Sequence, residues 1–247
     1  MQVAIHQPHY LPWLRYMEKI ASSDLFIMLD DVDFTKNGWQ NRNKIKCADG
    51  WMYLTVPVTA TLHQPIHTVK IVDNGWHEKH LRSLQTYYGR APYFDDHIRF
   101  FKEMYCRKWD SLTELNLEIL SYCLSRMDIR TPVLRSSELK VEGVATERLV
   151  NLCRLVKATS YYSGAYAAEV YLDAALFEKA GIDLVFQHWC CPEYSQQFPK
   201  AGFVSDLSIV DLLFNEGPKS LEIIQRGARC EPSIKPVPVD AHTDFSS

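Results

Sequence analysis

A doubly wound α/β fold with a mostly parallel sheet is the architecture this sequence predicts, and three observations predict it. Strand-like runs recur near residues 3, 26, 132, 160 and 183, with helix-like segments between them. The first 28 residues read as strand, helix, strand, a βαβ unit whose right-handed crossover makes its two strands parallel. The chain has 247 residues, 47% of them hydrophobic, which is enough to close one large core.

Residues 3–5 read as a short buried strand. Pro12 suits a first helical turn, where its missing N–H is not needed. Trp13, Leu14, Met17 and Ile20 then continue at helical spacing. Residues 25–29 are a continuous apolar run of strand length, and residues 31–50 are polar and turn-rich. Residues 51–58 form a strong strand ending near Pro57, and residues 67–73 alternate like a half-buried strand. These two make an inserted strand pair or edge hairpin. Helices are predicted over 76–89, 93–107 and 111–126, with breaks near Pro92 and Asp110. A strand and loop follow at 131–139, then an amphipathic helix at 145–158 capped by Thr146 or the loop before it. Residues 160–164 form a strand, 167–180 a helix that Gly181 ends, and 182–187 the last strand. Short helices at 208–214 and 218–226 complete the pattern, with Asp206 as a cap and Asp211 on the surface by default. The expected organisation is a single α/β domain over 1–230 and a proline-rich, loosely ordered tail over 231–247.

Composition narrows the function classes. A net charge of -3 gives no overall pull toward nucleic acid or an anionic membrane. No apolar run approaches the ~20 residues of a membrane span. The seven cysteines are odd in number and show no CxxC spacing, and Met1 leads directly into a strand rather than a signal segment. The expectation is a reduced, cytoplasmic protein. GxGxxG, GxxxxGK[ST] and GxSxG are all absent, which leaves no support for a dinucleotide fingerprint, a P-loop or a hydrolase elbow.

In open α/β sheets ligands sit beyond the carboxyl ends of the strands. His6, Gln7 and His9 follow the first strand there, and Asp30 and Asp31 follow the second. Histidine moves protons near neutral pH, and a neighbouring carboxylate orients it. His6, His9, Asp30 and Asp31 are therefore the candidate catalytic set, with Gln7, Tyr10 and Trp13 as substrate contacts on the same loop. The alternative of a His6/His9/aspartate metal site lacks a second histidine cluster with ligand spacing, so no metal is expected. "NGWQNRNKIK" supplies Asn37, Trp39, Gln40, Asn41, Arg42 and Lys44, a set of donors around an aromatic plate. Arg and Lys suit phosphate, Asn and Gln suit sugar hydroxyls, and Trp stacks on a sugar or base. The bland reading of the same stretch is a solvated loop. Ser163 and Gly164 close a strand and can offer backbone N–H groups to a phosphate. Cys190 and Cys191, beside His188, are an alternative thiolate site.

Larger blocks carry a resemblance. "IHQPHYLPWLRYMEKIASSDLFIMLDDVDFTKNGWQNRNKIK", "GWMYLTVPV", "WHEKHLRSLQTYYGRAPYF", "YYSGAYAAEVYLDAALFEKAGIDLVFQ" and "DLSIVDLLFNEG" resemble the WbqC-like protein family over residues 3–217. Arg15 departs from that pattern, where glycine is expected after "PWL". The resemblance implies a cytoplasmic enzyme of bacterial surface-polysaccharide or O-antigen clusters that handles activated sugars. A weaker resemblance is to the Rossmann-like fold of the nucleotidylyltransferases, which place an HxGH motif after the first strand. Here that stretch is His9-Tyr10-Leu11-Pro12, with Leu11 for the glycine and Pro12 for the second histidine.

The leading expectation is a transferase acting on a nucleotide-linked amino sugar, moving an acyl or aminoacyl group to the sugar amine. The donor would be a thioester or similar, delivered by an acyl or aminoacyl carrier protein, with a charged tRNA as a further source; no tightly bound cofactor is expected. His6 or His9 would serve as base, oriented by Asp30 or Asp31, with Asn41 as an oxyanion donor and Arg42 and Lys44 on diphosphate. The alternatives are nucleotidyl transfer or ATP-dependent activation with Mg²⁺, and a non-catalytic sugar- or carrier-binding subunit.

Overall fold

A computed structural model describes residues 1–164 and 172–228. The tail expected at 231–247 lies outside the described residues, as does the first part of the helix expected at 167–180.

Five parallel strands form the central sheet: β1 (Gln2–His6), β2 (Leu25–Met28), β7 (Val133–Arg135), β8 (Ser160–Gly164) and β9 (Asp183–Gln187). Their order is β7-β2-β1-β8-β9. The chain therefore builds outward from β1 in one direction through β2 and β7, then returns to add β8 and β9 on the other side. This is a doubly wound, Rossmann-like arrangement with its switch point between β1 and β8.

Alternate side chains leave the sheet on opposite faces, and the two faces collect different helices. Ala4, Phe26, Met28 and Tyr162 pack against Tyr16, Met17 and Ile20 of α1 (Leu14–Ala21), together with α2 (Trp76–Tyr88), α3 (Phe94–Cys106) and α4 (Leu112–Arg126). Val3, Ile5, Leu25, Ile27 and Tyr161 face Leu149, Leu152 and Cys153 of α6 (Ala145–Leu155) and Phe177 of α7 (Ala174–Ala180). A fully buried Phe26 or Met17 contributes about 1.5–3 kcal/mol by leaving water. Gly181 closes α7 at φ 68°, the left-handed cap expected of it.

The insertion differs from its sequence reading. β3 (Arg42–Cys47), within the stretch read as polar and turn-rich, pairs antiparallel with β4 (Gly50–Thr55). Val58 and Thr59 (β5) pair separately with Ile71 and Lys70 (β6). β3 is polar yet folds as a strand because its buried polar groups find partners. Asn43 donates to the Tyr10 and Leu11 carbonyls at 3.3 and 2.7 Å, and Lys46 Nζ donates to the Gly202 carbonyl and to Gln196 Oε1.

The carboxyl-terminal helices are α8 (Ile209–Glu216) and α9 (Ser220–Gly227). Ser208, not Asp206, caps α8, accepting from Val210 N; Asp206 instead faces Arg15. Asp211 is buried rather than on the surface. It accepts from Tyr88 and Tyr194 at 2.8 and 2.7 Å, and burial raises its pKa to about 6. Among the described residues no helix is long and apolar enough to cross a membrane.

Candidate functional site

β1 and β8 run out side by side at the switch point. Two residues beyond the Ala4–Tyr162 register pair stand His6 and Gly164. Leu11 then takes φ 46°, a left-handed conformation that costs a leucine about 1–2 kcal/mol. The position aligned with the HxGH glycine thus keeps a glycine-like backbone with a leucine in it. The strained turn is held by Asn43 on the Tyr10 and Leu11 carbonyls and by Tyr10 N donating to the Trp39 carbonyl at 3.0 Å. It drives His9 back over the strand end, where its ring stands 4.8 Å from His6 and stacks at 4.8 Å on Tyr16 of α1.

The two histidines are neutral at pH 7. Burial, then the Lys19 ammonium, push the His9 pKa down to about 3. Burial, Lys19 and His9 hold His6 well below its ordinary value, while its contact to the Gln7 carbonyl acts the other way. A carbonyl only accepts, so His6 Nδ1, 3.2 Å from it, carries the ring proton and Nε2 keeps the lone pair. His9 Nδ1 and the Tyr16 hydroxyl are buried and have no hydrogen-bond partner among the described residues.

Lys19 is a candidate site residue the sequence reading missed, and α1 delivers it. The helix is only eight residues long, and Glu18 and Lys19 are buried along with its apolar side chains. Glu18 is fully engaged, accepting from Tyr162, Gln187 and Ser22. Lys19 forms no salt bridge among the described residues. Its Nζ lies 3.5 Å from the position a Cβ on Gly164 would occupy, which puts it across the β1/β8 exit. Burial is the main cause that lowers its pKa to about 8, opposed by Glu18 and helped by Arg15. Ser163, only 1% exposed, and Gly164 close the same rim.

Trp13 and Trp39 lead outward from His9. The Trp13 ring is 5.5 Å from His9 and 4.1 Å from Trp39, and its Nε1 donates to Asn43 Oδ1 at 2.7 Å. On the outer face of the β3–β4 hairpin, Arg42 lies over Tyr53 at 4.4 Å and Lys44 over the exposed Trp51 at 4.3 Å. Gln7 accepts from Gln40 Nε2 at 2.7 Å, and Asn41 Nδ2 donates to the Val56 carbonyl at 2.8 Å. Asn37 is exposed at φ 62°.

Other expected residues are placed elsewhere. The expected orientation of a histidine by Asp30 or Asp31 is not formed. Asp30 accepts from Arg135 Nε at 2.9 Å, Ser137 N at 3.0 Å, Ser137 Oγ at 2.9 Å and Ser136 Oγ at 3.3 Å. It thereby closes the start of α5 (Ser136–Leu139). Asp31 accepts from Ser136 Oγ at 2.6 Å and from Arg148. Both carboxylates turn toward β7 and α6. Tyr10 is buried in the core, with its hydroxyl 2.7 Å from His80 Nδ1 and 2.5 Å from Tyr105. Arg15 meets Asp206 at 3.3 Å and lies over Trp189, so it makes a packing contact of its own. Burial pushes the Cys191 thiol up to about 12, which removes it as a thiolate at neutral pH. Among the described residues no His, Cys, Asp and Glu group has metal-binding geometry.

The site's chemistry can be stated from these parts. It holds two neutral imidazoles, a buried ammonium and a buried phenol that find no salt-bridge or hydrogen-bond partner among the described residues, and an aromatic path to the surface.

Comparisons with known proteins converge on one family. The model of the WbqC-like protein family matches residues 7–223, a span that contains His9, Tyr16, Lys19 and Gly164. The uncharacterized protein Rv1507c of Mycobacterium tuberculosis is 34% identical over 228 residues, covering 91% of this chain and 97% of that relative. No solved structure matches. A family match across nearly the whole described fold, with a full-length relative at that identity, places the chain in the WbqC-like protein family.

Proposed function

We propose that this protein is a transferase of polysaccharide biosynthesis that moves an acyl or aminoacyl group from a thioester-type donor onto the amine of a nucleotide-linked amino sugar. The observation that carries this reading is His9: neutral, buried and stacked on Tyr16 at the switch point where doubly wound folds bind ligands. An attacking amine must shed a proton as it becomes an amide. In the free chain burial and Lys19 hold the His9 pKa at about 3, too low for an effective base. This role therefore requires that substrate binding, by placing negative charge beside Lys19, raise the His9 pKa toward neutrality. The C–N bond forms as the donor C–S bond breaks. The amine proton passes to His9 and then to the leaving thiolate. The Lys19 ammonium beside the histidines favours the uncharged form of an entering amine, because two like charges in a buried site repel. Trp13 and Trp39 offer faces for the sugar or base. Family membership supports the polysaccharide context alone; the activated sugar as substrate and a carrier protein or charged tRNA as donor belong to the proposal.

The test is a screen of the full chain against nucleotide-linked amino sugars with acyl and aminoacyl donors, read by mass. The expected result is a mass gain equal to the donor's acyl group, lost in His9→Ala. Release of pyrophosphate from a nucleoside triphosphate would replace this reading with nucleotidyl transfer. Ligand binding with no turnover across the panel would replace it with a carrier- or sugar-binding role.

A further inference from the structure

We propose that Lys19, Tyr16 and His9 form a phosphate-binding subsite at the exit of β1 and β8, seating a phosphoryl group of the substrate. This deepens the transferase reading and rests on it for the identity of the substrate, but the subsite itself is argued from unsatisfied donors.

A buried polar atom without a partner is destabilising, and a buried charge more so, so folds seldom keep several together without a reason. Here His9 Nδ1 and the Tyr16 hydroxyl are buried and unpartnered among the described residues. Lys19 is 4% exposed and makes no salt bridge among the described residues. The three are tied to one place. Tyr16 and Lys19 are one turn apart on α1, His9 stacks on Tyr16, and Lys19 Nζ reaches Gly164, the register neighbour of His6. The nearest carboxylate in sequence, Glu18, is taken by Tyr162, Gln187 and Ser22.

The deficit is one of acceptors. An ammonium and a phenol are donors, and neutral His9 is a donor at Nδ1 in the tautomer that leaves its lone pair on Nε2. A phosphoryl group brings negative charge and three strong acceptor oxygens, matching three donors. The same tautomer keeps His9 Nε2 free to accept the amine proton, so one ring serves both anion and base. Arg42 and Lys44, the cations expected on diphosphate, rest on Tyr53 and Trp51 of the β3–β4 hairpin, with Lys44 Nζ also 5.8 Å from the Trp39 ring at the outer end of the aromatic path.

The test is calorimetric titration of the full chain with inorganic pyrophosphate, inorganic phosphate and acetate. Lys19→Met removes the charge at similar size, Lys19→Arg keeps a charge, and Tyr16→Phe removes one donor. Circular dichroism checks that each variant is folded. The wild type is expected to bind pyrophosphate, with about tenfold or greater weakening in Lys19→Met, partial recovery in Lys19→Arg and a smaller loss in Tyr16→Phe. A folded Lys19→Met chain with unchanged pyrophosphate affinity overturns the subsite. So does a wild type that takes acetate as tightly as phosphate, or that binds no phosphate probe. Pyrophosphate binding that depends on Lys19 with no acyl transfer in the mass screen would leave the subsite standing and remove the transferase reading. Acyl transfer indifferent to Lys19→Met would do the reverse.

Discussion

The carboxyl end of β2 and the paired ends of β1 and β8 lie on one rim of the same sheet, and they are finished in opposite ways. At β2, Asp30 is fully buried and its two oxygens receive an arginine, two serine hydroxyls and a backbone N–H, while Asp31 receives Ser136 and Arg148. At β1 and β8, among the described residues, the Tyr16 hydroxyl and His9 Nδ1 have no hydrogen-bond partner and the buried Lys19 makes no salt bridge. Both regions are polar and buried, and both attract a functional reading from sequence. The first, whose carboxylates are saturated although Arg148 Nε finds no partner among the described residues, is a brace that ties β2 to β7 and α6. The unsaturated one has bonding capacity left for a ligand.

Four measurements break or sharpen that contrast. The largest effect is expected from His9→Ala, which should cut turnover about 10²–10⁴-fold, the usual contribution of a positioned base, with the circular dichroism spectrum retained. Asp30→Ala should do its damage to stability: urea denaturation should show a loss of about 1–3 kcal/mol, because Ser136, Ser137 and Arg135 Nε lose a buried acceptor while Arg135 keeps Glu114. An Asp30 variant that is stable yet inactive would reverse the assignment of the two regions.

The third is pH. In the free protein Lys19 loses its proton near pH 8, with Glu18 and Arg15 on its own helix and His6 and His9 from the β1 loop as the charged and titratable groups around it. Anion binding needs the ammonium, so pyrophosphate affinity should fall as pH rises through about 8, and binding there should take up protons. Lys19→Met supplies the baseline for the probe's own titration. The linkage to folding has the opposite sense: a lysine pKa lowered on folding makes the charged form unfavourable, so this group's penalty eases as pH rises from about 8 toward its unfolded value. The smallest effect is expected from Tyr16→Phe. Removing a buried hydroxyl with no partner should leave stability unchanged or raise it by up to about 1 kcal/mol in thermal or urea unfolding, while pyrophosphate binding weakens. A marked loss of stability would show that the hydroxyl is satisfied in solution and would weaken the contrast at its unsaturated end.

Much of the fold was legible. The sheet strands near residues 3, 26, 132, 160 and 183 stand where apolar runs predict them, because three of the five are central or next to central and the sheet is covered by a hydrophobic cluster on each face. β3 was not legible, since Arg42, Asn43, Lys44 and Lys46 read as loop. Its burial depends on carbonyls of Tyr10, Leu11 and Gly202 that only the folded chain brings near. The site divides in the same way. His6, His9, Ser163 and Gly164 follow from the rule that ligands sit past strand ends. Asp30 and Asp31 satisfy that rule equally well and are diverted by Arg135, 105 residues from Asp30, and Arg148, 117 from Asp31.

The sequence by itself determined which chain segments become strands, that the sheet is parallel, and that a histidine-bearing loop leaves its first strand. Those properties are written in local apolar runs and in the short βαβ spacing. Only the tertiary structure decided which polar groups are spent and which are left over. Glu18 and Lys19 are adjacent on a short helix with nothing in their spacing to separate them. Packing gives one a tyrosine, a glutamine and a serine, and leaves the other facing the β1/β8 exit. Hydrogen-bond satisfaction is a property of contacts across the fold, and it is what distinguishes the brace from the site.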